Sequence, residues 1–174
     1  MRFLGLIVFF TVFSFAFGQV KWMTMEQALE AQKTQPKKIL INFVTQWCQA
    51  CKTMENNTFS HPEIAQYLNT HYYAVKFDTE SQQKVNLYGK TFTNTSAEKK
   101  NHLHDFAKFM NVNATPSLVF LDENSAPITI LQGMLTAKEL EPYLPFFIHN
   151  DYKKITTRKD WDSYQKKFKS KIKD

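Results

Sequence analysis

Cysteine is nearly absent from this chain, whose 174 residues contain two, Cys48 and Cys51. A disulfide between them would close a loop with two intervening residues. By the chain-entropy model, closing so short a loop contributes little to stability. A purely structural disulfide is therefore disfavoured as the reason for this pair.

The chain also lacks internal repeats, low-complexity segments and a long apolar run beyond its first residues. The segment from Phe3 to Phe17 is almost wholly apolar, Arg2 precedes it, and Ala16 to Gly18 form an A-x-G cleavage site. We expect a signal peptide over residues 1–18. A retained membrane anchor is the alternative, but about 15 apolar residues fall short of the ~20 that span a bilayer.

Excess positive charge is confined to the end of the chain. Residues 19–149, the expected domain, carry 12 basic and 12 acidic side chains, whereas residues 150–174 carry nine Lys/Arg and four Asp. In this extension, four apolar residues follow one another at spacings of 3, 4 and 4: Trp161, Tyr164, Phe168 and Ile172. This spacing predicts an amphipathic helix whose opposite face is basic. The helix either packs on the domain or docks a partner or an anionic membrane surface. Nucleic-acid binding is not expected, because the sequence has no recognised binding motif.

Periodicity and turn residues predict the remaining elements. Thr24, Ser60 and Thr136 are the predicted N-caps. Predicted helices cover residues 24–34, 48–57, 60 onward, 95–110 and 136–148, and predicted strands cover 38–44, 72–77, 117–121 and 128–131. Residues 85–92 form either a small hairpin or an ordered surface loop. A βαβ unit followed by a β-hairpin and a closing helix implies an α/β fold, in which a mixed sheet carries helices on both faces.

The two cysteines lie where a buried strand meets a helix. The run from Ile39 to Val44 is apolar apart from one residue, and C-x-x-C follows it. The helix N-terminus supplies partial positive charge and unpaired N–H groups, which stabilise a thiolate. Cys48 is the expected nucleophile, and Cys51, one turn later, is the expected resolving thiol. Such a site needs no organic cofactor and no metal, because the cysteines are themselves the redox centre.

A Thr-Pro pair is the second element of the expected site. Pro116 directly precedes a predicted strand, and a proline there is a candidate for a cis peptide bond. The backbone of Thr115 would then be free to pair with an extended substrate segment. We expect Trp47 to shield the cysteines and to form part of the substrate surface, with core packing as the alternative.

These motifs resemble the thioredoxin superfamily. The resemblance is carried by the W-C-x-x-C-K of residues 47–52, by Thr115-Pro116 and by Gly133 before the last domain helix. It implies a thioredoxin-like fold with a central mixed sheet flanked by helices. It also implies that Cys48 attacks, that Cys51 resolves and that Pro116 is cis.

Within the superfamily, residues 47–52, Glu55 and residues 58–63 are similar to the C-terminal periplasmic domain of thiol:disulfide interchange proteins of the DsbD type. Stand-alone exported thioredoxin-like proteins share this similarity. It extends from about Trp22 to Ile148, apart from an insert at about 79–101.

One departure from the family concerns the position six residues before the first cysteine. Thioredoxins commonly carry a buried aspartate there, whereas this chain has Asn42. Asparagine cannot take a proton, so the usual candidate base for the resolving thiol is missing. Glu55 and Lys76 are candidates for tuning the thiol pair instead. Alternatively, they are a solvated surface glutamate and a snorkelling strand lysine.

The resemblance favours a protein disulfide oxidoreductase that exchanges with exported proteins as a reductant and is recharged by a membrane electron donor. Its alternatives are a disulfide oxidase or isomerase, and a partner-binding module without catalysis.

Two of the three N-x-S/T triplets, at Asn56 and Asn113, would lie near the cysteines, where a glycan would obstruct them; this favours a bacterial periplasm. A zinc site of His102, His104 and the cysteines would require the insert to fold back onto them.

Overall fold

A four-stranded mixed sheet lies at the centre of the protein. Its computed structural model describes residues 18–95 and 103–173. The described part of the chain has six strands: β1 (Lys38–Val44), β2 (Tyr72–Asp78), β3 (Val85–Leu87), β4 (Lys90–Phe92), β5 (Ser117–Leu121) and β6 (Pro127–Gln132). Strands β3 and β4 form a separate two-stranded sheet. Strand β1 is parallel to β2 and antiparallel to β5, while β6 is antiparallel to β5. The strand order is therefore β2-β1-β5-β6, and the predicted mixed sheet is confirmed.

Helices cover both faces of this sheet. They are α1 (Met25–Thr34), α2 (Gln49–Met54), α3 (Pro62–His71), α4 (Asp105–Phe109), α5 (Ala137–Leu140), α6 (Tyr143–Ile148) and α7 (Arg158–Lys167). A π-helical turn, Glu55–Phe59, continues α2, and a 3₁₀ turn, Asp151–Lys153, follows α6.

Strand β1 is buried along its whole length because each of its faces meets a different apolar cluster. Alternate residues of a strand point to opposite faces. Ile41 and Phe43 pack with residues of α1, α4 and the β3–β4 hairpin. Leu40 packs with residues of α2, α3, α5 and α6. Coverage on both sides explains why the run of residues 39–44 is almost continuously apolar.

Several helix boundaries differ from the predicted ones. Thr24 and Thr136 are N-caps as predicted, and both form capping boxes. His61 caps α3 in place of Ser60, its Nδ1 accepting from the Glu63 N–H at 3.3 Å. The predicted helix over 136–148 is divided into α5 and α6 at Pro142, whose ring nitrogen has no hydrogen to continue the helical bonding.

The insert begins as an ordered segment that includes the β3–β4 hairpin. Of the two alternatives for residues 85–92, the hairpin is therefore correct. The helix predicted from residue 95 begins at Asp105 in the described part, with His104 as its N-cap. His102 and residues 96–101 lie outside the described residues.

The C-terminal helix α7 packs on the domain through its apolar side. The Trp161 ring stacks on Tyr143 at 4.6 Å and meets Phe146 edge-on at 5.0 Å. The helix ends at Lys167, so the predicted continuation through Ile172 is wrong. The buried Glu141 carboxylate accepts hydrogen bonds from the Lys171 N–H and the Ser170 hydroxyl, and these hold the chain in a different path.

Lys38 is 1% exposed although it is charged. Its Nζ donates to both carboxylate oxygens of Glu123, at 2.8 and 2.9 Å, and to Asn150 Oδ1 at 3.1 Å. Partial burial alone would raise the pKa of Glu123, but the hydrogen bonds and charge of Lys38 outweigh it and lower that pKa.

This pair predicts a specific loss of stability in acid. Because the folded-state pKa of Glu123 is depressed, its contribution is present above the unfolded pKa and is lost as pH falls through the folded value. Between about pH 6 and pH 3, the unfolding free energy of the parent should fall more steeply than that of Glu123→Gln. Urea titrations across this range measure the difference, with the exposed Glu26→Gln as control. Parallel curves for the parent and Glu123→Gln would contradict the prediction.

Candidate active site

The two cysteines form a disulfide at the start of α2. Their sulfurs are 2.06 Å apart and their Cα atoms 5.2 Å apart. Strand β1 ends at Val44, and a short turn carries the chain to Cys48, which is the N-cap of α2. Cys51 follows one helical turn later. The strand-to-helix junction expected from the sequence is therefore present.

The two sulfurs differ in their surroundings. Cys51 is 6% exposed, whereas Cys48 is partly exposed. The Cys51 N–H donates to Cys48 Sγ at 3.0 Å. In the reduced protein the same N–H would point at a Cys48 thiolate, together with the partial positive charge of the helix N-terminus. This arrangement favours Cys48 as the attacking sulfur.

A groove of about 540 Å³ runs beside Cys48. Trp47, which is 86% exposed, lines one part of it, so the core-packing alternative for this tryptophan is wrong. Thr115 lines another part, and the Thr115–Pro116 peptide bond is cis. The Thr115 hydroxyl is 3.4 Å from that of Thr45, the residue that follows β1. Trp47, Cys48 and Thr115 thus meet around one groove, while Pro116 is buried behind it.

A second cavity, of about 650 Å³, borders Cys51 from another side. Glu55 and Lys76 also line it, and Glu55 Oε2 accepts from Lys76 Nζ at 2.9 Å. The Trp22 indole N–H donates to the other carboxylate oxygen, Oε1, at 3.0 Å. Glu55 and Lys76 are therefore paired with each other, while both side chains stay partly exposed.

Asn42 lies in β1, opposite Lys76 in β2 and Leu118 in β5. It is 1% exposed, and its Oδ1 has no hydrogen-bond partner among the described residues. The position is therefore buried as in the family pattern, but its side chain carries no ionisable proton.

The sequence did not indicate every residue around the cysteines. Glu80, in the insert, and Leu103, just after it, line the groove beside Cys48. Neither belongs to a motif, so no local pattern could have identified them. Trp22 precedes α1, and its bond to Glu55 depends on a contact between segments 33 residues apart.

Both ring nitrogens of His104 have hydrogen-bond partners within the fold. Its Nδ1 accepts from the Phe106 N–H at 3.0 Å, and its Nε2 is 2.7 Å from the Gln83 carbonyl oxygen. Burial lowers the pKa of His104, although the Gln83 hydrogen bond acts in the opposite direction. Over residues 18–95 and 103–173, no group of three or more His, Cys, Asp or Glu is arranged to hold a metal. His102, the other histidine of the zinc alternative, lies outside the described residues.

Comparison with known proteins gives the class of this protein. A family model described as a thioredoxin-like domain matches residues 25–148. The chain therefore belongs to the thioredoxin-like family, and the resemblance stated from the sequence is confirmed.

Individual relatives agree with this assignment. The thiol:disulfide interchange protein DsbD of Haemophilus ducreyi is 31% identical over 122 residues, which are 69% of this chain but 18% of that protein. A thioredoxin-fold protein from Helicobacter pylori superimposes with a TM-score of 0.57 at 19% identity, covering 75% of this chain and 81% of that one. A thioredoxin from Thermus thermophilus superimposes with a TM-score of 0.56 at 16% identity, covering 75% of this chain and 88% of that one. These two structures establish the fold. With the Cys48–Cys51 disulfide, the family relationship supports the expected class of enzyme, a disulfide oxidoreductase.

No helix within the described ranges is both long enough and apolar enough to cross a membrane. The predicted signal peptide falls almost entirely on residues 1–17, outside those ranges.

Proposed function

We propose that this chain is an exported thiol:disulfide oxidoreductase that reduces disulfides in other exported proteins. This proposal rests mainly on the Cys48–Cys51 disulfide at the start of α2, beside a groove bordered by Trp47 and Thr115. The similarity to DsbD, which is named for thiol:disulfide interchange, supports this activity.

The reaction proceeds in two exchanges. The Cys48 thiolate attacks one sulfur of a substrate disulfide, and the other substrate sulfur leaves as a thiolate. Cys51 then loses its proton to solvent and attacks the Cys48 sulfur of the mixed disulfide, which releases the second substrate thiolate. Two electrons have passed from the protein to the substrate, and Cys48 and Cys51 are left as a disulfide.

The surrounding residues have complementary roles in this proposal. Trp47 and Thr115 hold the substrate in the groove, the Thr115 backbone pairing with an extended segment, and Pro116 shapes this loop. The Glu55–Lys76 pair borders the cavity next to Cys51, where it influences the resolving thiol. Asn42 occupies the buried position of the usual acid without providing a base.

The proposed compartment is the bacterial periplasm. The predicted signal peptide over residues 1–18 supports export. Asn56 borders the cavity next to Cys51, and Asn113 lines the groove beside Cys48. Glycans on either would obstruct the site, which favours a compartment without N-glycosylation.

A dithiol donor must reduce the disulfide after each cycle, and we assign this task to a membrane electron donor. The exposed basic residues of α7 are available for docking such a partner or an anionic membrane surface. The apolar side of α7 is not, since Trp161 and Tyr164 pack on the domain.

The reduction potential of the Cys48–Cys51 couple tests the direction of electron flow. It is measured by equilibrating the protein with glutathione and dithiothreitol buffers and quantifying both redox forms. We expect a value near or below about −220 mV, as for a reductant. A value near about −120 mV would instead indicate a disulfide donor or isomerase. Failure of the reduced parent to reduce any disulfide would refute the proposed activity and leave the partner-binding alternative.

A further inference from the structure

The groove beside Cys48 contains residues from a segment that the thioredoxin-like pattern does not include. Its lining includes Trp47 and Cys48 from the active-site turn, and Asn113 and Thr115 from the loop before β5. It also includes Glu80, which lies in the insert, and Leu103, which follows the insert. The insert therefore contributes to the surface that a substrate would meet.

Glu80 is the one charged side chain among the described residues that line this groove. It is partly buried. A single carboxylate next to a substrate segment attracts a basic side chain and repels an acidic one, and partial removal from water strengthens both effects.

Hydrogen bonds hold the backbone around Glu80 in place. Its N–H donates to Asp78 Oδ1 at 2.9 Å, and its carbonyl oxygen accepts from Asn94 Nδ2 at 3.2 Å. The preceding residue, Thr79, is fully buried, and its N–H donates to the Val44 carbonyl at 2.9 Å.

The neighbouring Ser81 carbonyl also accepts from Asn94, at 3.2 Å. The Thr79 carbonyl accepts from the His104 N–H at 2.8 Å. Little ordering of this backbone remains to be done when a substrate binds, so Glu80 is positioned at the groove beside Cys48 in advance.

We propose that Glu80 is a specificity-determining residue, which selects substrate segments that carry lysine or arginine next to the reacting cysteine. This inference rests on the proposed function and names its substrate class. Glu80 takes no part in the exchange of sulfur bonds, so the two-electron reaction is unchanged. Its effect lies in the relative rates for differently charged substrates. From the strength of a partly exposed ion pair, and the matching repulsion of a like charge, we expect about a three- to tenfold preference for Lys over Glu.

The test uses three disulfide-linked peptides that are identical except for Lys, Gln or Glu next to the cysteine. The reduced full-length protein is mixed with each peptide at low ionic strength, and the second-order rate constant of this single reduction is measured. The parent should prefer Lys over Glu by about three- to tenfold, and added salt should reduce that ratio. Glu80→Gln should bring the ratio close to one, and Glu80→Lys should invert it.

Glu26→Gln, on an exposed position of α1 outside the groove, is the matched control and should keep the parental preference. Reduction of an uncharged linear disulfide, 2-hydroxyethyl disulfide, checks that each variant remains competent. Equal rates with all three peptides, or a preference that survives in Glu80→Gln, would overturn the role of Glu80 and leave the oxidoreductase activity standing. A parent that reduces none of these disulfides would overturn both proposals.

Discussion

A Cys51→Ser variant is expected to accumulate as a mixed disulfide with its substrate through Cys48. Cys48 is the more exposed sulfur at the start of α2, so it can still attack, whereas the thiol that would resolve the adduct is gone. Steady turnover should fall by more than about 100-fold, because removal of a reacting group leaves only residual catalysis. Mass spectrometry under non-reducing conditions should detect nearly one substrate per chain.

The reverse substitution, Cys48→Ser, is the matched control. It should lose turnover to a similar extent but form no adduct, because the remaining thiol is 6% exposed and does not line the groove beside position 48. Dithiothreitol should release the substrate from Cys51→Ser and restore the free thiol. An adduct on Cys48→Ser but not on Cys51→Ser would reverse the assigned roles.

The parts of the fold that the sequence predicted well depend on local patterns. Strand β1 was predicted because its apolar run is nearly continuous, as is typical of a strand covered on both faces. Thr24 was predicted as a cap because threonine is a favoured N-cap residue and a helical pattern follows it. Thr136 was predicted as a cap because Glu139, three residues later, completes a capping box. The C-x-x-C could be placed at a strand-to-helix junction because it follows the apolar run of β1 in the sequence.

The parts that were missed depend on contacts between distant segments. Lys38 is buried because Glu123 and Asn150, 85 and 112 residues further along the chain, accept its hydrogen bonds. The helical periodicity of the tail continues to Ile172, but two hydrogen bonds to Glu141 end the helical path earlier. Local propensity contains no information on such partners.

The candidate site divides in the same way. Cys48, Cys51 and Thr115–Pro116 belong to short motifs and could be named from the sequence. Glu80 could not, because it reaches the groove only through the bonds that fix its segment to the end of β1 and to Asn94. The proposed contribution of the insert to substrate binding therefore depends on the folded chain and not on a local motif.

Phe106→Ala should be strongly destabilising, by about 3–5 kcal/mol, as for large-to-small substitutions of buried phenylalanines. Phe106 is fully buried in α4. Its ring lies 5.7 Å from Phe43 of β1, 5.3 Å from Phe77 of β2 and 5.7 Å from Phe92 of β4. It therefore joins the central sheet to the hairpin of the insert, and its removal leaves a cavity where these elements meet.

Phe109→Ala provides a control in the same helix. Phe109 is 43% exposed, although its ring lies 4.8 Å from Phe92, so the loss should be no more than about 1 kcal/mol. Urea denaturation with unchanged m-values gives both free energies of unfolding. Limited proteolysis of Phe106→Ala should cut first in the insert, because the ring that holds the hairpin against the sheet is missing. If the two variants lost equal stability, Phe106 would not be the residue that joins the insert to the core.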